Sequence, residues 1–271
     1  MPIWDRKKTA KITMLTKRRK FLLVSILLTV GLLIVQSLPV ESRYSAIAYF
    51  AVAAYLLTGW SLLKDLRGVN WIVNLILPTF YPVSVALFYF LLPQAPITRT
   101  VVVVLFGISM YALLLTVNIF AVATTRTIQL LRAARAVGFL LSILTSAFLF
   151  HVVLSLRLSG WIVGLLVFVI SLPILWQGVW SYVASSTVKK EFYYGLVGAV
   201  AIAQMAVALS FWLISVPLAS VVLAMAMYVV LGLLQHDLEG RLFVRTIQEY
   251  LGFAGIVFVV VATAVIYRWT Q

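Results

Sequence analysis

Apolar residues run in long blocks along this chain, and polar residues are confined to short clusters between them. The blocks cover approximately 21–38, 45–63, 71–92, 100–123, 136–156, 161–182, 192–214, 217–235 and 251–268. Each is close to the ~20 residues that carry a helix across ~30 Å of hydrocarbon. A helix bonds its own backbone internally, as lipid demands of any spanning segment. The pattern therefore predicts an all-α fold, a polytopic transmembrane helical bundle of about nine spans. Only Ser215-Val216-Pro217 divides the seventh block from the eighth. A single helix from Phe192 to Gln235 would reach ~66 Å, about twice the membrane thickness. A tight hairpin at Pro217 is predicted instead. Most linkers are short, which predicts antiparallel neighbours.

The clusters alternate between basic-rich and basic-poor. With the amino terminus inside, the cytoplasmic segments hold seventeen of the 21 Lys and Arg residues. These are the eight bases of the tail (Arg6 to Lys20) with Lys64, Arg67, Arg126, Arg132, Arg135, Lys189, Lys190, Arg241 and Arg245. Arg43, Arg99, Arg157 and Arg268 fall outside. Positive-inside asymmetry thus predicts a cytoplasmic amino terminus and an outer carboxy terminus. Trp60, Trp71, Trp161, Trp180, Trp212 and Trp269 lie near predicted span ends, as an interfacial aromatic belt requires. Residues 1–20 read as a basic cytoplasmic tail and 21–271 as the transmembrane domain. The apolar run after the tail is longer than a signal h-region, and no small-x-small site follows it, so a retained first span is expected.

Composition sharpens the class. The chain is 64% hydrophobic and 10% charged, with mean hydropathy +1.12. It has no cysteine, which excludes disulfides, thiolate metal sites and thiol nucleophiles. The net charge of +14 sits beside apolar spans, which points to anionic lipid headgroups as partner rather than nucleic acid. The tail is expected to lie on the bilayer surface, with Trp4, Ile12 and Leu15 dipping into it. All seven acids fall in linkers or the tail, and no lysine lies within a span. A pump with a carboxylate at depth is therefore disfavoured.

The candidate chemistry is sparse. In the third span Asn74, Pro78, Tyr81 and Pro82 stand within ten residues. Two prolines remove successive helical hydrogen bonds, so the span is either a kinked helix packed in the bundle or a broken helix lining a cavity. Asn118, His151, Gln177 and Gln204 read as interhelical hydrogen-bonding groups. Small residues form packing rows: Gly138, Ser142 and Ser146 in the fifth span, Gly160 and Gly164 in the sixth, and Gly195, Ala199 and Ala203 in the seventh. Thr125–Arg135 and Gly240–Tyr250 read as helical extensions or interfacial helices. The densest polar group is His236, Asp237, Glu239 and Arg241, expected to be a solvated juxtamembrane cluster beside the i, i+4 pair of Arg245 and Glu249. No catalytic, cofactor-binding or metal-ligating set is predicted.

The third span and the run from Leu233 to Phe243 together give a family impression. On these motifs the chain resembles uncharacterised multi-pass membrane proteins of candidate-phylum bacteria, a family built on a domain of unknown function. That resemblance implies a bacterial cytoplasmic membrane and assigns no activity. The expected function is a non-catalytic membrane scaffold or accessory subunit, with a membrane-protein partner or a homo-oligomer. The alternatives are a transporter or flippase for a neutral or lipidic substrate, using the third span, and a membrane-embedded enzyme at the cytoplasmic headgroup level.

Overall fold

In the computed structural model the described residues are 4–63, 70–93, 95–123, 130–183, 189–238, 240 and 242–269. They form nine long α-helices, each with a stretch apolar and long enough to cross a membrane. The protein is a multi-pass integral membrane protein. The chain divides into two compact units, Met1–Val122 and Ala123–Gln271.

Unit 1 holds α1 (Trp4–Ser37), a 3-10 turn at Val40–Ser42, α2 (Arg43–Leu62), α3 (Asn70–Tyr89) and α4 (Pro96–Ala123). The basic tail does not stand apart from the first span: from Trp4 onward its backbone is the amino-terminal part of α1. The helices meet through small and aromatic residues. Gly107 of α4 lies against Thr29 of α1, and the Ser25 hydroxyl donates to the Gly107 carbonyl at 2.8 Å. Phe106 stands between Phe50 of α2 and Tyr81 of α3. The carboxyl end of α1 receives two cations, Arg99 donating to the Leu33 carbonyl and Arg43 to the Leu38 carbonyl. Cations there oppose the negative end of the helix dipole.

Unit 2 holds α5 (Leu131–Ser155), α6 (Gly160–Val183), α7 (Lys189–Ser210), α8 (Val216–Leu238) and α9 (Val244–Trp269). The closest approach is between α6 and α7. A Cβ added at Gly195 would stand 3.0 Å from the Trp176 amide nitrogen, and one at Gly164 would run into Val207. Among the described residues the main packing partner of α9 is α8. Only 11% of its most apolar window is buried in the protein, against 56% for α3.

One helix boundary differs from the sequence expectation. The seventh and eighth spans are parted by the turn at 211–215, not at Pro217, which stands inside the first turn of α8. Proline suits that position because the first helical amides have no intrahelical partner to lose. Of the Gly240–Tyr250 segment, expected as a helical extension or an interfacial helix, Val244–Tyr250 is the start of α9, with Ile247 and Tyr250 half-buried and Arg245 and Glu249 exposed. Gly240 adopts φ +66°, the left-handed conformation that commonly follows a helix end and that glycine enters without strain. Residues 124–129, the start of the other proposed extension, lie outside the described residues.

Candidate functional site

The third-span group is built into protein. α3 runs unbroken through Pro78 and Pro82. Proline cannot donate to the carbonyl four residues back, so those of Asn74 and Pro78 lose their usual partners. Asn74, Pro78, Tyr81 and Pro82 are all buried. The Ser109 hydroxyl donates to the Leu105 carbonyl, so the Tyr81 hydroxyl is the donor to Ser109. The Tyr81 ring stacks on Phe106 at 5.7 Å. The structure thus brings Tyr81 onto α4 and keeps the proline pair covered.

Of the polar cluster after α8, Glu239 and Arg241 lie outside the described residues. His236 and Asp237 turn to different partners. The His236 Nδ1–H donates to the Gly232 carbonyl at 2.8 Å, and its ring meets the Tyr250 ring edge-on. Asp237 accepts a hydrogen bond from the Tyr194 hydroxyl. Arg245 and Glu249 form an exposed pair at 3.3 Å.

The sequence reading missed a buried acid in unit 2, and other polar side chains of the unit make their own interhelical bonds. Glu191, read as a linker acid, stands in the first turn of α7 and is only 3% exposed. An acid in a first turn complements the helix dipole. Arg135 of α5 donates to the Tyr182 carbonyl and lies over the Tyr182 ring at 4.3 Å. Gln235 of α8 donates to the Gly178 carbonyl at 3.0 Å. Gln177 and Trp180 are buried nearby in sequence on α6. Glu191 had one legible signal, its place immediately before Phe192-Tyr193-Tyr194 at the mouth of an apolar run.

The small-residue rows are distributed as follows. Gly160 faces Ser210 and Gly164 faces Val207, both on α7, while Gly195 faces the Trp176 backbone. Ala199 is buried and Ala203 offers its carbonyl towards Gly164. In α5, Gly138, Ser142 and Ser146 are buried, and both hydroxyls donate back along their own helix at 2.8 Å. Serines in helices commonly satisfy themselves this way. Gln204, an expected interhelical group, is exposed.

Unit 2 also contains a recess that no sequence motif announced. It has a volume of about 1030 Å³ and lies at the end carrying the turns 156–159 and 211–215. Among the described lining residues Arg157 is the charged one, and Leu154, Val163, Leu209, Pro217 and Val265 are among the others. Arg157 adopts φ +50°, which costs a non-glycine residue roughly 1–2 kcal/mol. Behind the recess the Ser220 hydroxyl donates to the Pro217 carbonyl and accepts from the Nδ1–H of His151 at 3.0 Å. A second, wholly apolar groove of about 390 Å³ follows along α7, α8 and α9, lined by Met205, Val222, Ala226, Gly255 and Phe258 among others.

A family model described as protein of unknown function, DUF5656, matches residues 55–264. The chain belongs to the DUF5656 family. No curated protein and no solved structure matches it. The DUF5656 match opens within α2 and closes within α9, so it contains α3, the buried Glu191 and most of the recess lining. The basic tail and α1 fall before it.

Proposed function

We propose that this protein is a non-catalytic scaffold or accessory subunit of a bacterial cytoplasmic membrane, with its amino terminus in the cytoplasm and its carboxy terminus outside. The observation that carries the reading is the isolation of α9. It leans on α8 through one side, near Val261 and Val265, and leaves Gly252, Ile256, Val259 and Thr263 open on the opposite side. Those four recur at helical spacing on one face. Nothing within 4 Å meets a Cβ added at Gly252, so another helix can approach its backbone closely, the condition that favours helix pairing in lipid.

Two other classes find less support. A transporter or flippase needs an accessible cavity at Asn74 and Pro78, and both are buried in an unbroken helix. An enzyme at the headgroup level needs His236 and Asp237 on one pocket, and they serve separate contacts. Purification in mild detergent is expected to recover a stoichiometric membrane-protein partner or a homo-oligomer. Gly252→Leu should release it while leaving the monomer folded. A lone wild-type monomer under the same conditions would overturn the proposal.

Orientation rests on charge asymmetry and is testable in this cysteine-free chain. Cysteine placed at Lys190 or Arg245 should resist an impermeant thiol reagent in intact cells. Labelling there would invert the topology.

A further inference from the structure

We propose that unit 2 holds one acidic phospholipid, its phosphate at Arg157 and one acyl chain in the groove between α7, α8 and α9. The two cavities succeed one another along the same three helices. The recess takes Val216–Ala219 of α8, Leu209 of α7 and Val265 of α9, whereas the groove takes Val222, Ala226 and Val230 of α8, Met205 of α7 and Ala254 and Phe258 of α9, among others. Numbering rises along α8 and falls along α7 and α9, as antiparallel neighbours require of one continuous path. Trp212 joins them, since it lines the recess and its ring lies 6.3 Å from that of Phe258, which lines the groove. From Val216 to Val230 is about 21 Å of helix, enough to pass from the headgroup level through one leaflet.

The chemistry changes along that path in the order of a lipid molecule. Trp161, Trp212 and Tyr267 are exposed at the recess end, which sets its depth at the interface where such rings collect. Among the described lining residues the charge there is Arg157, and unlike Arg43 and Arg99 its guanidinium makes no hydrogen bond or ion pair among the described residues. A guanidinium offers paired donors in the fork that fits phosphate oxygens. A recess of about 1030 Å³ lies at the upper end of the range usual for ligand sites, ~300–1,000 Å³, large enough for a glycerophosphate head. Below Trp212 the named lining residues are all apolar, which suits a hydrocarbon chain and excludes a free anion. The groove meets α9 through Ala254, Gly255, Val257 and Phe258, none of which is among the four residues of the proposed docking face.

Native mass spectrometry of the full chain in mild detergent, with phosphatidylglycerol, phosphatidylcholine or inorganic phosphate added, tests the site. One phosphatidylglycerol per chain should be retained, in preference to phosphatidylcholine by roughly tenfold, the ratio expected when one charge-assisted contact is at stake. Arg157→Gln should erase the preference, and Arg157→Lys should keep part of it. Arg157→Gly, which suits the left-handed turn, must reproduce the Gln result and guards against a folding defect. Gly255→Leu, entering space where nothing lies within 4 Å, should weaken phosphatidylglycerol by roughly tenfold through the groove alone. Displacement of phosphatidylglycerol by equimolar inorganic phosphate would make this a free-anion site and overturn the proposal. So would unchanged lipid selectivity in Arg157→Gln, or a Gly255→Leu variant that breaks a dimer without altering lipid binding.

Discussion

A methyl group at Gly195 would press on the Trp176 backbone at 3.0–3.2 Å, and backbone cannot rotate aside as a side chain can. Gly195→Ala should therefore force α6 and α7 apart and cost ~1–3 kcal/mol, read as reduced stability in detergent unfolding. Gly252→Ala, which enters open space, should stay within ~0.5 kcal/mol and supplies the control. Tyr81 separates two kinds of contact. Tyr81→Phe keeps the stack on Phe106 and loses the bond to Ser109, so it should cost ~0.6 kcal/mol, the average for interhelical hydrogen bonds in lipid. Glu191 is the residue least legible in advance. Its neighbours in sequence are charged lysines and tyrosines typical of a linker, yet it is buried in the first turn of α7. Glu191→Ala should cost ~1–3 kcal/mol by stripping a polar partner from a dry site, whereas Glu249→Ala at an exposed pair should cost ~0–1 kcal/mol. The same unfolding assay compares them.

Among the elements, α3 and α9 are opposites. α3 carries two prolines yet is well covered, because lipid tolerates interrupted hydrogen bonding only where protein encloses it. α9 has no proline and little cover. Its anchor is aromatic: Tyr250 meets Tyr228 at 5.1 Å and the Gly232 backbone, and Phe253 meets Tyr228 at 5.7 Å. Hydrogen–deuterium exchange in detergent should find α9 the first helix of unit 2 to lose protection, and Tyr250→Ala should hasten that loss without disturbing α6 and α7. Protection of α9 equal to that of α6 would contradict this ordering. Helix existence was legible from run length alone. Helix ends were less so: the apolar Phe211-Trp212-Leu213-Ile214 reads as a continuing span, but a turn there lets Trp212 reach Phe258. The recess was invisible because Leu154, Arg157, Leu209 and Val265 are each ordinary near a span end. Only the packing of α5 to α9 assembles them.

At the scale of the whole molecule, charge directs insertion and helix length then meets the bilayer. Lys17, Arg18, Arg19 and Lys20 precede the first apolar stretch and Arg132 and Arg135 open α5, so each compact unit begins with its own basic signal. Replacing Lys17, Arg18, Arg19 and Lys20 with Gln should lower the fraction of correctly oriented molecules, measured by thiol accessibility. Correctly inserted molecules should remain folded, because those side chains face outward or are only half-buried. Within unit 1, α3 has 20 residues and α4 has 28, which makes them about 30 Å and 42 Å long. The Tyr81–Ser109 contact joins them near the middle of each, so α4 overshoots its neighbour at both ends. A helix longer than the hydrocarbon must lean or thicken the lipid beside it. Bilayer thickness thereby becomes a mechanical load on the Tyr81–Ser109 pin, and unit 1 should hold together best in acyl chains long enough to relieve it.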